Sequence, residues 1–298
     1  MPLFSIIIPT HNRADLLRAA LESVFAQTMS DYEIIVVDDG STDGTADLAS
    51  SLAGRVRFLT QSNRGPGPAR NLGAQHAIGE YLAFLDSDDL LFPWTLEIYQ
   101  QVIEQARQPA FVAGKPARFR QPDELKSMTK EQLETAEFSD YLVSGDAWRW
   151  WGASSFVIRR DAFQAANGFA DEWINGEDAD LALRLGCASG FVQITSPTTF
   201  GYRDHAVSAM KNLDRTIAGA RHQVSSEKKA LYPGGNPRAP QRRRILTRHL
   251  RPVSLACQAH GMRREAWELY WATFPWHVTL GNWKYLAGFP AKALFNRT

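Results

Sequence analysis

The chain has 298 residues, 44% of them hydrophobic, enough to bury one large core or two modest ones. Lys and Arg number 33 against 32 Asp and Glu, so no global field steers the protein toward nucleic acid or an acidic lipid surface. The two cysteines, Cys187 and Cys257, form no CxxC pair and sit in stretches that read as helical, which suits buried thiols in a reducing compartment, while the absence of a basic leader before Phe4 and of any run near about 20 apolar residues argues against export and membrane insertion.

In chain order, Phe4 to Ile8 and Ile34 to Val37 are short, β-branched, nearly continuous apolar runs, the pattern of strands covered on both faces. Between them Leu16, Leu17, Ala20, Leu21, Val24 and Phe25 recur at helical spacing, with Asn12 placed to cap the helix. The βαβ pattern repeats: helix over 45–52, strand over 56–59, helix over 69–77, strand over 81–85. Open sheets of this kind bind ligands beyond the carboxyl ends of their strands, so chemistry is sought after Ile8, Val37 and Leu85.

Those three segments are polar. After Ile8 comes Pro9-Thr10-His11-Asn12-Arg13, and after Val37 comes Asp38-Asp39-Gly40-Ser41-Thr42-Asp43-Gly44. Neither is a GxGxxG or P-loop sequence that brings backbone amides to phosphate; strand-end carboxylates suit hydrogen bonding to a base or ribose, or else Asp38, Asp39 and Ser41 only shape a turn and cap the next helix. Leu85-Asp86-Ser87-Asp88-Asp89 puts three carboxylates in four positions. Two like charges about 4 Å apart repel by roughly 4 kcal/mol at an effective dielectric near 20, so an enclosed cluster stays protonated or recruits a cation. Oxygen donors point to Mg²⁺ or Mn²⁺ bridging to a diphosphate; a solvated acidic turn before the helix starting near Pro93 is the plainer alternative. Gly176-Glu177-Asp178-Ala179-Asp180 crowds acids at a helix start, which complements the helix dipole or else holds Asp178 as a general base beside Glu177.

Together the four segments resemble the inverting family two glycosyltransferases of GT-A fold. The resemblance rests on residues 5–13, 36–43, Asn63-Arg64-Gly65 with Ala69-Arg70-Asn71, residues 84–89, and Glu177-Asp178-Ala179-Asp180-Leu181, and spans about two-thirds of the chain. It implies an α/β nucleotide-diphospho-sugar transferase fold, with a mostly parallel sheet flanked by helices. The catalytic domain would cover 1–210, its nucleotide-binding half about 1–110 and its acceptor half about 111–210, followed by a helical region over 211–298. It further implies that Asp39 binds the nucleobase and that Pro9, Thr10 and Arg70 line the nucleotide pocket with Asn12, Asp86 and Ser87. Asp86 and Asp88 would hold Mn²⁺ or Mg²⁺, joined by His205 in Tyr202-Arg203-Asp204-His205, and Asp178 would act as base.

Ser154 to Ile158 would be the strand beneath the acceptor site, with Trp148, Trp150 and Trp151 before it and Glu177 near the acceptor; packing accounts for the tryptophans equally well. The family's usual Gly-Gly-Phe stands here as Asn167-Gly168-Phe169. Processive members of the family carry a QxxRW box and flanking membrane helices; neither is read downstream of Asp178, so the resemblance implies one sugar per encounter. The implied donor is a nucleotide sugar, a UDP-sugar first among them, and the implied acceptor a glycan or lipid-linked saccharide in glycan, polysaccharide or glycolipid assembly. A sugar nucleotidyltransferase is disfavoured by the first loop, which lacks glycines, and a non-catalytic nucleotide-sugar scaffold by the intact Asp86, Asp88 and Asp178.

Beyond about Val207 the resemblance fades. Pro233 to Pro240 reads as a loop or linker. The basic run Arg242-Arg243-Arg244 and the aromatic stretch from Trp267 to Phe295 pack on the catalytic domain, rest on a bilayer surface or form a homodimer contact. The implied location is the cytoplasm, free or peripheral on the inner membrane face.

Overall fold

The structure, a computed structural model, describes residues 1–146, 152–204 and 212–295. The chain divides into two compact units, Met1–Trp173 with Ala188–Ser208, and Ile174–Cys187 with Ala209–Thr298.

The first unit begins as β1 (Phe4–Thr10), α1 (Ala14–Phe25), β2 (Tyr32–Asp38), α2 (Thr45–Ser51), β3 (Arg57–Thr60), α3 (Pro66–His76) and β4 (Tyr81–Phe84). It continues with β5 (Leu90–Leu91), α4 (Thr95–Gln105), β6 (Phe111–Ala113), β7 (Pro116–Phe119), β8 (Glu134–Phe138), α5 (Tyr141–Ser144), β9 (Phe156–Arg159) and α6 (Arg160–Ala165). After the excursion through α7 (Glu177–Arg184) it resumes with β10 (Phe191–Ser196) and β11 (Phe200–Arg203).

Among the described residues these strands form an eight-stranded sheet, β3-β2-β1-β4-β9-β6-β10-β8, and a three-stranded one, β5-β11-β7. β1 runs parallel to β2 and β4, β2 to β3, and β6 to β10; β9 is antiparallel to both β4 and β6, and β8 to β10. This is the mostly parallel, helix-flanked sheet predicted. The continuous apolar reading of β1 has a direct cause. Phe4, Ile6 and Ile8 face a core shared with Leu17, Leu21 and Val24 of α1 and Leu96, Tyr99 and Val102 of α4, while Ile7 lies on the opposite face under α3. The register pairs Thr10 with Asp38 and Asp38 with Thr60, so β1, β2 and β3 end together. The order reverses about β1, with β2 and β3 on one side and β4 on the other, which makes the carboxyl edge of β1 and β4 a switch-point crevice.

The second unit joins α7 to α8 (Leu213–Lys228), α9 (Gly235–Ala259), α10 (Arg263–Thr279) and α11 (Trp283–Phe295). Its core sets Trp267, Tyr270, Tyr285 and Phe289 against one another, with Tyr270 stacked on Phe289 at 4.6 Å between ring centroids. Two expectations fail here. Residues 233–240 are not a linker: α9 starts at Gly235 and carries Pro240 within it. The buried Arg242 holds that start, donating to Glu227 at 2.7 Å and to the Pro233 and Gly235 carbonyls at 2.8 Å, so tertiary contacts override the breaker signal. Cys257 is buried in α9, but Cys187 is exposed in the turn after α7. No helix among the described residues is long and apolar enough to cross a membrane.

Candidate active site

The loops leaving β1, β2 and β4 lock together at the sheet edge. Asp39 is 4% exposed and accepts from the Arg64 and Gly65 amides and from Gln61 Nε2, all at 2.8 Å. It therefore pins the segment between β3 and α3, a charge-assisted use of a buried carboxylate. The Asp39 amide donates to the Thr10 carbonyl, and His11 Nδ1 donates to the Asp39 carbonyl at 2.9 Å, which leaves Nε2 to accept from Asn63 and Asn12.

Asn12 is not the cap of α1. At φ 52° its Oδ1 accepts from the Thr42 amide at 2.7 Å and its amide donates to Ser41, stitching the first loop to the second. The first amide of α1, that of Ala14, donates instead to Asp43 at 3.0 Å, a cap supplied from 29 residues away that no local spacing announces. The Thr45 hydroxyl bonded to Asp43, and the Ala14 amide after it, hold the Asp43 carboxyl below its ordinary range.

Thr10 is buried at the end of β1, and its Oγ1 has no hydrogen-bond partner among the described residues. An orphaned hydroxyl at a switch-point crevice is a group awaiting a ligand atom. Pro9 and Ser87 are also buried. Arg70 on α3 is 3% exposed, lies over the Phe169 ring with 5.1 Å to the centroid, and donates to Asp86 Oδ1 at 2.5 Å. α3 is preceded by Gly65, whose φ of 95° and closeness to Trp173 (a Cβ there would lie 2.8 Å from the indole Cδ1) leave room for glycine alone.

The acid turn separates into two kinds of carboxylate. Asp86 and Asp88 are ion-paired, the second to Arg13 Nη1 at 2.6 Å, with side chains 29% and 14% exposed. Asp89 is buried, accepting from Ser154 Oγ at 2.7 Å and the Arg203 amide at 2.9 Å. Burial, reinforced by Asp88 and Asp86, pushes the Asp89 carboxyl well above the usual range. Asp89 is thus a structural pin joining the turn to the start of β9 and to β11. Ser154 completes the link by accepting from the Asp86 amide at 3.0 Å, and Arg203 Nε donates to the Asp88 carbonyl at 2.8 Å.

Among the described residues no three His, Cys, Asp or Glu side chains converge as a ready-made metal cage. Asp86 and Asp88 do fit a hard divalent cation that arrives with substrate: both donors are oxygens, both side chains reach solvent, and Mg²⁺-like ions use one or two carboxylates plus phosphate oxygens and water. His205, Trp148, Trp150 and Trp151 lie outside the described residues.

In the second unit Gly176, at φ 86°, precedes α7, and Glu177 and Asp178 occupy its first turn, both half-buried. The Ala179 amide donates to Asp178 Oδ1 at 2.7 Å. Asp180, 1% exposed, anchors the helix from beneath: it accepts from Tyr232 Oη at 2.7 Å, pairs with Arg184 at 2.8 Å and lies 3.4 Å from His222. Burial alone would raise its carboxyl; His222, Arg184 and Tyr232 outweigh that and hold it low. Sequence reasoning missed Arg13, Gln61, Asp43, Ser154, Trp173 and Tyr232. Arg13 and Asp43 lay within the motif segments 5–13 and 36–43, and Ser154 was expected to open a strand that in fact begins at Phe156; Gln61, Trp173 and Tyr232 carried no local signal.

The sequence profile described as Glycosyl transferase family 2 matches residues 5–165. An uncharacterized glycosyltransferase of Rickettsia felis is 46% identical over 103 residues, 34% of this chain and 17% of that protein. The uncharacterized glycosyltransferase EpsJ of Bacillus subtilis is 29% identical over 216 residues, 69% of this chain and 62% of EpsJ. The chain therefore spans less than two thirds of either relative's length. Among solved structures, S. aureus TarS 1-349 in complex with UDP-GlcNAc superposes with a TM-score of 0.61 at 19% identity, covering 93% of this chain and 92% of that one. The mannosyltransferase PcManGT from Pyrobaculum calidifontis, in complex with GDP-Man and Mn²⁺, superposes at 0.53 with 20% identity over 100% and 88%. These two bear on the fold, which is of the GT-A type. With the profile covering more than half of its residues, the chain belongs to glycosyl transferase family 2.

Proposed function

We propose that the chain transfers one sugar from a nucleoside-diphosphate sugar to an acceptor hydroxyl with inversion at the anomeric carbon. The observation that carries this reading is the convergence of Thr10, Asp39, Arg70 and the Asp86/Asp88 pair on one carboxyl edge of parallel strands, at the switch point where such sheets bind nucleotides. Asp39 accepts from the nucleobase while holding residues 61–65, the Thr10 hydroxyl bonds the ligand it lacks, and Pro9, Asn12, Arg70 and Ser87 complete the nucleotide contacts. Arg13 and Arg70, already aimed at the acid turn, lie where diphosphate oxygens would gather. Mn²⁺ or Mg²⁺ held by Asp86 and Asp88, with His205, would offset the negative charge that develops on the leaving diphosphate.

Asp178 removes the acceptor hydroxyl proton as that oxygen attacks the anomeric carbon. The carbon–oxygen bond to the diphosphate breaks on the opposite face and its electron pair leaves with the nucleoside diphosphate. Glu177, Trp150 and Trp151 contact the acceptor, a glycan or lipid-linked saccharide met in the cytoplasm or at the inner membrane face. UDP is the first choice of nucleotide, since TarS is seen with UDP-GlcNAc and with UDP; the GDP-Man bound to PcManGT makes GDP the second.

The test is calorimetric titration with UDP, GDP and dTDP, each with Mn²⁺ and with EDTA, on the native protein and on Asp88→Ala and Asp178→Asn. Binding of one nucleotide that needs metal and is lost in Asp88→Ala, but survives in Asp178→Asn while turnover falls by about 10²- to 10⁴-fold, is the expected result. No nucleotide binding under any condition would leave a scaffold that has kept only the fold.

A further inference from the structure

The basic run Arg242-Arg243-Arg244 is split by the geometry of α9. Arg242 and Arg243 both donate to the buried Glu227, at 2.7 and 3.0 Å, and are accounted for by packing. Arg244 is exposed and, with Arg248 and Arg251 at spacings of four and three residues, lines one wall of a cleft of about 450 Å³. The facing wall is the turn between α10 and α11, with Thr279 and Asn282. No residue lining this cleft carries a carboxylate, and among the described residues neither Arg244 nor Arg251 has a carboxylate partner.

The neutral groups in the wall are already engaged. The Thr247 and Thr279 hydroxyls donate to the Arg244 and Trp276 carbonyls, and the Asn282 amide meets His277 Nδ1 at 3.1 Å. His277 itself is wholly buried, and burial together with Arg251 keeps its imidazole neutral at ordinary pH. Recognition in the cleft therefore falls to guanidiniums on one helix face, first to Arg244 and Arg251 at its two ends, whose positive charge an anion between them would offset. They span about 10 Å of helix axis, seven residues at 1.5 Å each, which is longer than a single carboxylate or phosphate and suits a diphosphate.

We propose that this cleft on the second unit, lined also by Arg248, is a binding site for a diphosphate-sized anion held by Arg244 and Arg251. The site shares no residue with the nucleotide pocket and stands whether or not the transferase reading does. Its ligand is either a soluble diphosphate or a phosphate-bearing lipid headgroup. Trp283, next to Asn282 in the chain, is 64% exposed, and an exposed indole suits a membrane–water interface.

The experiment uses the full chain and two variants, Arg244→Gln with Arg251→Gln, and Arg244→Glu alone, each checked for native hydrogen exchange in α9. Inorganic pyrophosphate is titrated calorimetrically in EDTA at two salt concentrations, and co-sedimentation is measured with phosphatidylglycerol-containing vesicles. Pyrophosphate binding that weakens roughly tenfold or more in the variants supports the site with a soluble ligand. Vesicle binding with the same arginine dependence, and no pyrophosphate heat, supports it with a headgroup. Binding of neither probe, or binding indifferent to the substitutions in folded variants, overturns the proposal.

Discussion

Substitution of Gly219 by alanine sets two effects of known size against each other. Gly219 lies inside α8, where alanine is favoured over glycine by about 1 kcal/mol in an open helix. A Cβ at this position would lie 1.9 Å from the Asn175 carbonyl oxygen, well inside the 3.0 Å that real Cβ contacts respect, so the turn before α7 must retreat by about 1 Å. Among the hydrogen bonds that tie that turn to α8 are three that the shift would strain: the Asn175 amide to the Arg215 carbonyl, Asn175 Nδ2 to the Thr216 hydroxyl at 2.9 Å, and Gln223 Nε2 to the Gly176 carbonyl at 3.1 Å. If all three break, at about 1 kcal/mol each, and overpacking costs about 1 to 3 kcal/mol, the losses less the propensity gain of about 1 kcal/mol leave a net destabilisation of about 3 to 5 kcal/mol. Gly288 in α11 is the matched control, since nothing lies within 4 Å of its Cβ position and alanine there should stabilise by up to about 1 kcal/mol. The assay is urea-dependent hydrogen exchange read on peptides from α7, α8 and α11, because a chain of two compact units need not unfold in one step. Because Gly176 leads into Asp178, turnover should fall in Gly219→Ala while nucleotide affinity is unchanged. A Gly219→Ala protein stabilised like Gly288→Ala would refute the close-approach reasoning.

Thr10→Val should stabilise the ligand-free protein by about 1 kcal/mol, since it removes a buried hydroxyl without a partner, yet weaken nucleotide binding; thermal melts with and without UDP decide it, and equal shifts in both would sink the assignment. In the Asp180 network, Asp180→Asn should cost about 3 kcal/mol and Tyr232→Phe about 1 to 2. The double variant should lose at least about 1 kcal/mol less than their sum, whereas strict additivity would mean the two side chains do not share one site. His277 is lowered from 6.5 to about 4 by burial and by Arg251, so the unfolded chain binds the extra proton between those values. Its contribution to stability is complete above about pH 6.5 and fades as the pH falls toward 4, on the order of 3 kcal/mol in all; His277→Gln should flatten that slope in urea titrations, and an NMR titration placing the imidazole near 6.5 would contradict it.

What the sequence made legible is what local pattern encodes. β1 and β2 are buried on both faces, so their apolar runs are continuous, and α1 shows its core stripe at helical spacing because one face only meets the sheet. The positions of Asp39, Arg70, Asp86 and Asp178 followed from motif order along the chain. The partners of those residues did not follow, because they come from across the fold. Asp43 caps a helix 29 residues upstream, Ser154 reaches Asp89 over 65 residues, and Tyr232 reaches Asp180 over 52. The linker expected at 233–240 failed for the same reason: composition reported Gly and Pro, while the deciding contact was a buried arginine bonded to a glutamate 15 residues away.

The acid turn shows how far a charge argument carries before the partners are known. Repulsion among Asp86, Asp88 and Asp89 requires a remedy, and from sequence the available remedies were protonation or a bound cation. The fold supplies both from its own atoms. Asp89 is buried with its carboxyl pushed upward, while Arg13 and Arg70 each take one of the other two. Crowded carboxylates alone therefore do not imply a metal, and the case for one rests on what Asp86 and Asp88 share beyond proximity. Their side chains remain partly open to solvent and follow β4, the strand paired with β1, whose last residue, Thr10, has a hydroxyl without a hydrogen-bond partner among the described residues. A diphosphate entering there would draw Arg13 and Arg70 toward its own oxygens, and in doing so would release the two carboxylates for a cation. On this account metal affinity would be low without nucleotide and would rise with it, because the guanidiniums that neutralise the acids in the free protein would be the groups the diphosphate recruits.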